Sequence, residues 1–141
     1  AARTLSVPVI VTTQYLKGLG PVVGELSALN PTAPIDKMTF SCFGSPEFRA
    51  ALDATGRRTI LLCGVEAHIC VLQTGLDALA AEYSVHLVTD ATGSRAPANA
   101  ALGHRRLEGA GALLSSAEMA VYEMLGRAGT PAFKAMLPHF K

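Results

Sequence analysis

The sequence predicts an α/β domain whose mostly parallel sheet is covered by helices on both faces. Three observations carry that expectation. Val7-Pro8-Val9-Ile10-Val11-Thr12 is a continuous, largely β-branched run, as in a strand buried on both sides. Thr59 to Cys63 is a second apolar strand that breaks at Gly64 and passes within a few residues into a long helix. Further strands and helices alternate along the chain, and right-handed crossovers then lay the strands parallel.

Taken in order, Ala1 to Leu5 reads as the tail of a helix, and the first strand follows with Pro8 at its beginning, where a missing N–H is tolerable. The glycine-rich Thr13 to Gly20 reads as a loop on that strand's carboxyl side. Val22 to Leu29 reads as one short helix, broken by Asn30-Pro31 and Pro34. Lys37 to Phe40 is a candidate strand. Ser45-Pro46-Glu47 starts a helix with a hydroxyl cap, a proline at the first position and an acid in the first turn. That helix carries Phe48 and Leu52 on one face and ends at Gly56. After the strand of Thr59 to Cys63, Leu72, Leu76 and Leu79 are spaced to face the sheet from the next helix. Val85 to Thr89 is another strand, with Asp90 at its carboxyl end. Ala96 to Gly109 reads as a helix, Ala112 to Leu114 as the last strand, Ser115-Ser116-Ala117-Glu118 as a capped helix start and Thr130-Pro131 as the opening of a terminal helix. No repeat, low-complexity segment or linker divides residues 1–141, so they read as a single domain.

Composition narrows the function classes. Hydrophobic residues make up 50% of the chain and charged ones only 16%, against a usual quarter. That shortage of charge points to surface buried against other subunits, and a homo-oligomer is expected. A net charge of +1 without a basic stripe gives no reason to expect nucleic acid or an anionic membrane as a partner. No apolar run is long enough to span a bilayer. The 3 cysteines, without short paired spacing, suit a reducing compartment, so a cytoplasmic or mitochondrial location is expected. The chain begins without an initiator methionine, which leaves room for an upstream signal.

Cys70 is the candidate nucleophile. A strand that ends in a glycine turn and feeds a helix aims backbone N–H groups and the positive end of the helix dipole at one spot, a field that favours thiolate over thiol. Free cysteine is more commonly a small hydrophobe in a core. Cys63, inside the strand, keeps that ordinary reading; Cys70 departs from it through its place after the junction.

The run Gly64-Val65-Glu66-Ala67-His68-Ile69-Cys70-Val71, followed by Thr74, resembles the nucleophile motif of the isochorismatase-like cysteine hydrolases, the superfamily that includes nicotinamidases. Lys37-Met38-Thr39-Phe40-Ser41-Cys42-Phe43 is similar to the segment in which that family's catalytic lysine precedes Ser-x-Phe. Thr13-Gln14-Tyr15 with Lys17-Gly18-Leu19-Gly20 is similar to a loop of the isochorismatase domain-containing proteins, although Leu16 stands where a proline is usual.

The resemblance implies a three-layer α/β/α fold with strand order three-two-one-four-five-six and an active site at the carboxyl ends of the strands. It implies Cys70 as nucleophile and Lys37 as the cation beside it. It also implies a cis peptide between Val65 and Glu66, with the Glu66 and Cys70 N–H groups as oxyanion hole. Gln14, Tyr15, Leu19, Phe43 and His68 are expected to line the pocket. The family's first strand, with its catalytic aspartate, has no match here. It would lie between Val7 to Thr12 and Thr59 to Cys63, which should then not bond to each other. Asp90 is near enough to be considered, but reads more simply as a cap on the turn from Ala91 to Arg95.

Other constellations carry less. His68 is two residues from Cys70, and on a helix such neighbours point apart. His86, His104 and His139 are dispersed, so neither a metal nor another cofactor is expected. The expected activity is hydrolysis of a small amide, ureide or vinyl ether through a covalent thio-intermediate. The alternatives are a non-catalytic assembly or regulatory member of the same fold and, less supported by charge, a ribonuclease.

Overall fold

The computed structural model of the chain describes residues 1–28 and 32–140. Its elements in order are β1 (Thr12–Gln14), α1 (Leu16–Leu19), α2 (Gly24–Ser27), β2 (Ile35–Lys37), α3 (Pro46–Ala54), β3 (Thr59–Val65), α4 (Leu72–Ala80), β4 (Ser84–Gly93), α5 (Pro97–Gly109), β5 (Leu113–Ser115), α6 (Ala117–Leu125) and α7 (Pro131–Met136). Single 3-10 segments occupy Cys42–Gly44 and Leu137–Phe140.

Every strand pairing is parallel, and the architecture is the three-layer α/β/α expected. The strands fall into two groups. β1 pairs with β2, Thr12 opposite Ile35 and Gln14 opposite Lys37, while β3, β4 and β5 form a second group in that order. Among the described residues no ladder joins β1 to β3. A groove of about 740 Å³ lies there instead, with Ile10 and Thr12 on one wall and Ile60, Leu62 and Cys63 on the other.

The core gathers where helices cover β4. Phe48 and Leu52 of α3, Leu72 and Ala78 of α4, Val85 and Leu87 of β4 and Leu107 of α5 form one buried cluster with Phe43. Burying each Leu-sized side chain contributes about 1.5–3 kcal/mol. The helix starts read from sequence are built as expected. Ser45 Oγ accepts the Phe48 N–H at 3.2 Å, Ser116 Oγ that of Met119 at 3.1 Å and Thr130 Oγ1 that of Phe133 at 3.0 Å. The Ser45 cap extends to Glu47, whose carboxyl is held below its usual range by its own backbone N–H and by the Ser45 hydroxyl.

Several elements differ from expectation. Ala1 to Leu5 is a turn, closed by the Leu5 N–H on the Ala1 carbonyl at 2.9 Å, rather than the tail of a helix. The first strand begins its ladder with β2 only at Thr12, opposite Ile35, and the residues before it, Val7 and Ile10 among them, line the groove. The loop expected from Thr13 to Gly20 holds the end of β1 and all of α1. The helix expected over 22–29 is only Gly24–Ser27, and its expected end at Leu29 with the breaker Asn30-Pro31 lies outside the described residues. The strand expected from Lys37 to Phe40 instead ends at Lys37. Beyond it the chain curls back, since the Lys37 ammonium takes the Thr39 and Phe40 carbonyls that a ladder would need. Among the described residues no helix is long and apolar enough to cross a membrane.

Candidate active site

β3 ends at Val65, the Val65–Glu66 peptide bond is cis, and the chain then makes a wide π turn, Ala67–Val71, before α4 begins. Such turns occur often at functional sites because they displace a side chain from the regular helical path. Here the N–H groups of Ile69 and Val71 both donate to the Glu66 carbonyl, at 3.1 and 3.2 Å. Cys70 sits half-buried in this turn, above the buried Ala67 and Val71. α5 presses against the turn so closely that a Cβ on Gly103 would stand 2.9 Å from the Ala67 carbonyl oxygen.

Lys37, at the carboxyl end of β2, is 6% exposed. Its Nζ donates to Gln14 Oε1 at 2.7 Å and to the Thr39 and Phe40 carbonyls at 3.0 Å each. Gln14 is itself held by its Nε2 donating to the Met38 carbonyl at 2.8 Å. All three ammonium protons therefore meet neutral oxygens, and among the described residues no carboxylate forms an ion pair with this cation. A buried charge without a counter-charge is costly, so the position favours an anion nearby.

The remaining site candidates divide. Gln14 joins Lys37 directly. Tyr15, in the left-handed region at φ 46, and Leu19, 73% exposed, bracket α1 at the surface, with the Tyr15 ring lying over Gly18. His68 is tied to the segment between β4 and α5 and to the first turn of α5, its Nδ1 2.9 Å from Ser94 Oγ and its Nε2 3.5 Å from Asn99 Nδ2. Glu66 closes the same strap by accepting the Arg95 N–H at 3.2 Å, with its carboxylate 3.7 Å from His68 Nδ1. Phe43 stands apart as a correction to the expected lining. Its ring is buried in the core, edge-on to Phe48 and Tyr83 at 5.6 and 6.0 Å, because the 3-10 turn at Cys42–Gly44 rotates it inward.

Asp90 does not cap its own turn. Its Oδ1 accepts the Ala117 N–H at 2.8 Å, in the first turn of α6. Cys63 opens onto the groove and is exposed through it, yet apolar neighbours surround it, and that desolvation pushes its thiol up. Among the described residues no group of three His, Cys, Asp or Glu side chains could hold a metal ion. Sequence reasoning did not single out Ser94 or Asn99 as partners of His68, nor the pairing of Ser41 with Asp77. For that pairing a signal was present: Asp77 follows Thr74 by three residues, on one face of α4.

The isochorismatase domain matches over residues 1–119. The chain belongs to the isochorismatase family. Isochorismatase domain-containing protein 2 of Bos taurus is 43% identical over 134 residues, which are 94% of this chain and 64% of that protein. The chain thus spans about two thirds of the length of such relatives. Among solved structures, the MAR1 ribonuclease of Caenorhabditis elegans superposes with a TM-score of 0.90 at 37% identity, covering 97% of this chain and 71% of that one. The Escherichia coli YcaC gene product, an octameric hydrolase of unknown specificity, gives a TM-score of 0.85 at 26% identity, covering 99% and 76%.

Proposed function

We propose that this isochorismatase-family chain carries the nucleophile and the activating cation of a cysteine hydrolase acting on a small amide, ureide or vinyl ether. The observation that carries the reading is Lys37, a buried ammonium oriented by three neutral oxygens and left without a carboxylate partner. A cation held in this way, together with the N–H groups that a strand-turn-helix junction aims at one spot, is suited to an anionic reaction centre.

For an amide or ureide, the Cys70 sulfur attacks the carbonyl carbon and a C–S bond forms, while the carbonyl electron pair moves to oxygen, held by the Glu66 and Cys70 N–H groups. Collapse expels the leaving nitrogen, which takes a proton from a carboxyl group. Water then adds to the thioester and returns a proton to that carboxylate, and the C–S bond breaks to restore the thiolate. The reading places the carboxylate on one further strand, lying in the groove between β1 and β3 and supplied from outside residues 1–141. Gln14, Tyr15, Leu19 and His68 line the substrate's approach. Exposed apolar side chains, Val23, Leu26, Met38 and Phe40 among them, support burial against another copy of the chain in a homo-oligomer. The octameric relative supports that assembly.

Peptide-resolved alkylation tests the nucleophile. Cys70 is expected to react far faster than Cys42 or Cys63; three similar, slow thiols would favour a non-catalytic member of the family. In an activity screen over amides, ureides and vinyl ethers, Cys70→Ser should lower turnover by about 10³-fold or more with the fold retained. The ribonuclease name of the nematode relative supports a second reading. RNA cleavage that survives Cys70→Ser would favour it over a thiol hydrolase.

A further inference from the structure

Thr74 and Asp77 lie three residues apart on one face of α4, whose start follows directly on the π turn that carries Cys70. Both receive hydrogen bonds from the segment that follows Lys37. The Cys42 N–H donates to Thr74 Oγ1 at 2.9 Å, and Ser41 Oγ donates to Asp77 Oδ2 at 2.5 Å while accepting the Phe43 N–H at 3.2 Å. One step nearer Lys37, Thr39 Oγ1 donates to the Ser41 carbonyl at 2.8 Å, and the Thr39 and Phe40 carbonyls hold the Lys37 ammonium. A continuous series of hydrogen bonds and two short backbone links thus runs from the nucleophile helix to the cation. Thr74, 3% exposed as a residue, is its buried end.

We propose that Thr74, assisted by Ser41, is a positioning residue: it fixes the Thr39–Cys42 segment to the Cys70 helix and thereby sets where the Lys37 charge stands relative to the Cys70 sulfur. This rests on the roles proposed above for Lys37 and Cys70, and it adds the part that relates them. The ladder of β1 and β2 alone does not define that relation, because no pairing joins it to β3 among the described residues. Replacing the hydroxyl by a methyl keeps the volume of residue 74 but releases the Cys42 N–H, so the segment is free to carry Lys37 away from the thiolate.

The readout is the pH midpoint of Cys70 alkylation by iodoacetamide, followed by peptide mapping. Glu66 and His68 on the same turn, Arg95 across from them and His104 on α5 are unchanged in every variant, so their titration is common to all. Thr74→Val should raise the midpoint by half or more of the rise caused by Lys37→Ala. Thr74→Ser, which keeps the hydroxyl, should return it to the wild-type value. Ser41→Ala, neutral like the other changes at these two positions, should move it the same way and serves where Thr74→Val does not fold. The double variant Thr74→Val/Lys37→Ala should show no rise beyond Lys37→Ala alone, since the hydroxyl acts only through the lysine. A folded Thr74→Val or Ser41→Ala with the wild-type midpoint, or an additive double variant, overturns the positioning role and leaves the Lys37 reading standing. An unchanged midpoint in Lys37→Ala overturns both.

Discussion

The two strand groups hold their candidate site residues by different means. β3 and β4 are seven and ten residues long, and the core is built against β4 with Leu87 and Val85 almost wholly enclosed. Cys70 therefore rides on a backbone ladder and a packed helix pair. β1 and β2 are three residues each, and side chains finish what their ladder starts. Asp36 Oδ1 accepts from Thr13 Oγ1 at 2.9 Å and from the Leu16 N–H at 3.0 Å, and Gln14 holds both Lys37 and Met38. Packing fixes one group and a few polar contacts fix the other, so single changes should have unequal consequences across the groove.

The largest expected effect on stability tests that inequality. Leu87→Ala removes a fully enclosed side chain from β4 and should cost about 2–5 kcal/mol in urea unfolding. Ile35→Ala, on the half-buried β2, should cost less than half as much as Leu87→Ala. Equal losses would mean that the small group is as firmly packed as the large one, and the contrast would fail.

Next in size is the contact between α5 and the Cys70 turn. Alanine in place of a helical glycine would stabilise α5 by about 1 kcal/mol if there were room. At Gly103 the new Cβ meets backbone at 2.9 Å, which cannot yield cheaply. Gly103→Ala should therefore lose about 1–3 kcal/mol and slow Cys70 alkylation. A net gain in stability would show that the turn moves freely beneath α5. On the other side, Asp36→Ala should cost about 1 kcal/mol and speed amide exchange at Thr13 and Gln14, while the β3–β4 amides keep their protection.

What was legible in the sequence follows the range of the interactions. Ser45, Ser116 and Thr130 bond three residues ahead, so the local order of residues exposed those helix starts. The alternation of apolar runs gave the layers, and the motif around Cys70 gave the family. Contacts between distant residues left little local trace. Asp90 reaches Ala117 across 27 positions, and Glu66 meets Arg95 across 29. Phe43 fits its motif by spacing, yet the 3-10 turn that buries it is capped by a Ser41 hydroxyl that also donates to Asp77, 36 positions away. The π turn at Ala67–Val71 and the early curl after Lys37 are closed by local bonds, to the Glu66 carbonyl and from the Lys37 ammonium, that residue types alone do not announce.

The smallest expected effect concerns the groove wall itself. Desolvation raises the Cys63 thiol above its ordinary value, so the folded chain keeps this proton to higher pH than the unfolded chain does. The sign follows from proton counting: above the unfolded thiol's pKa of about 8.5 the unfolded state binds fewer protons, and stability falls as pH rises. The contribution is complete below that pH and is lost as pH climbs through the raised folded value. Cys63→Ser removes this titration while leaving every other group common to both proteins. The stability difference between wild type and variant should then be constant below about pH 8.5 and should shift against the wild type above it. A difference that stays flat to higher pH would mean that water in the groove solvates the β3 edge fully, and the ladder-bound side would then be less shielded than its packing implies.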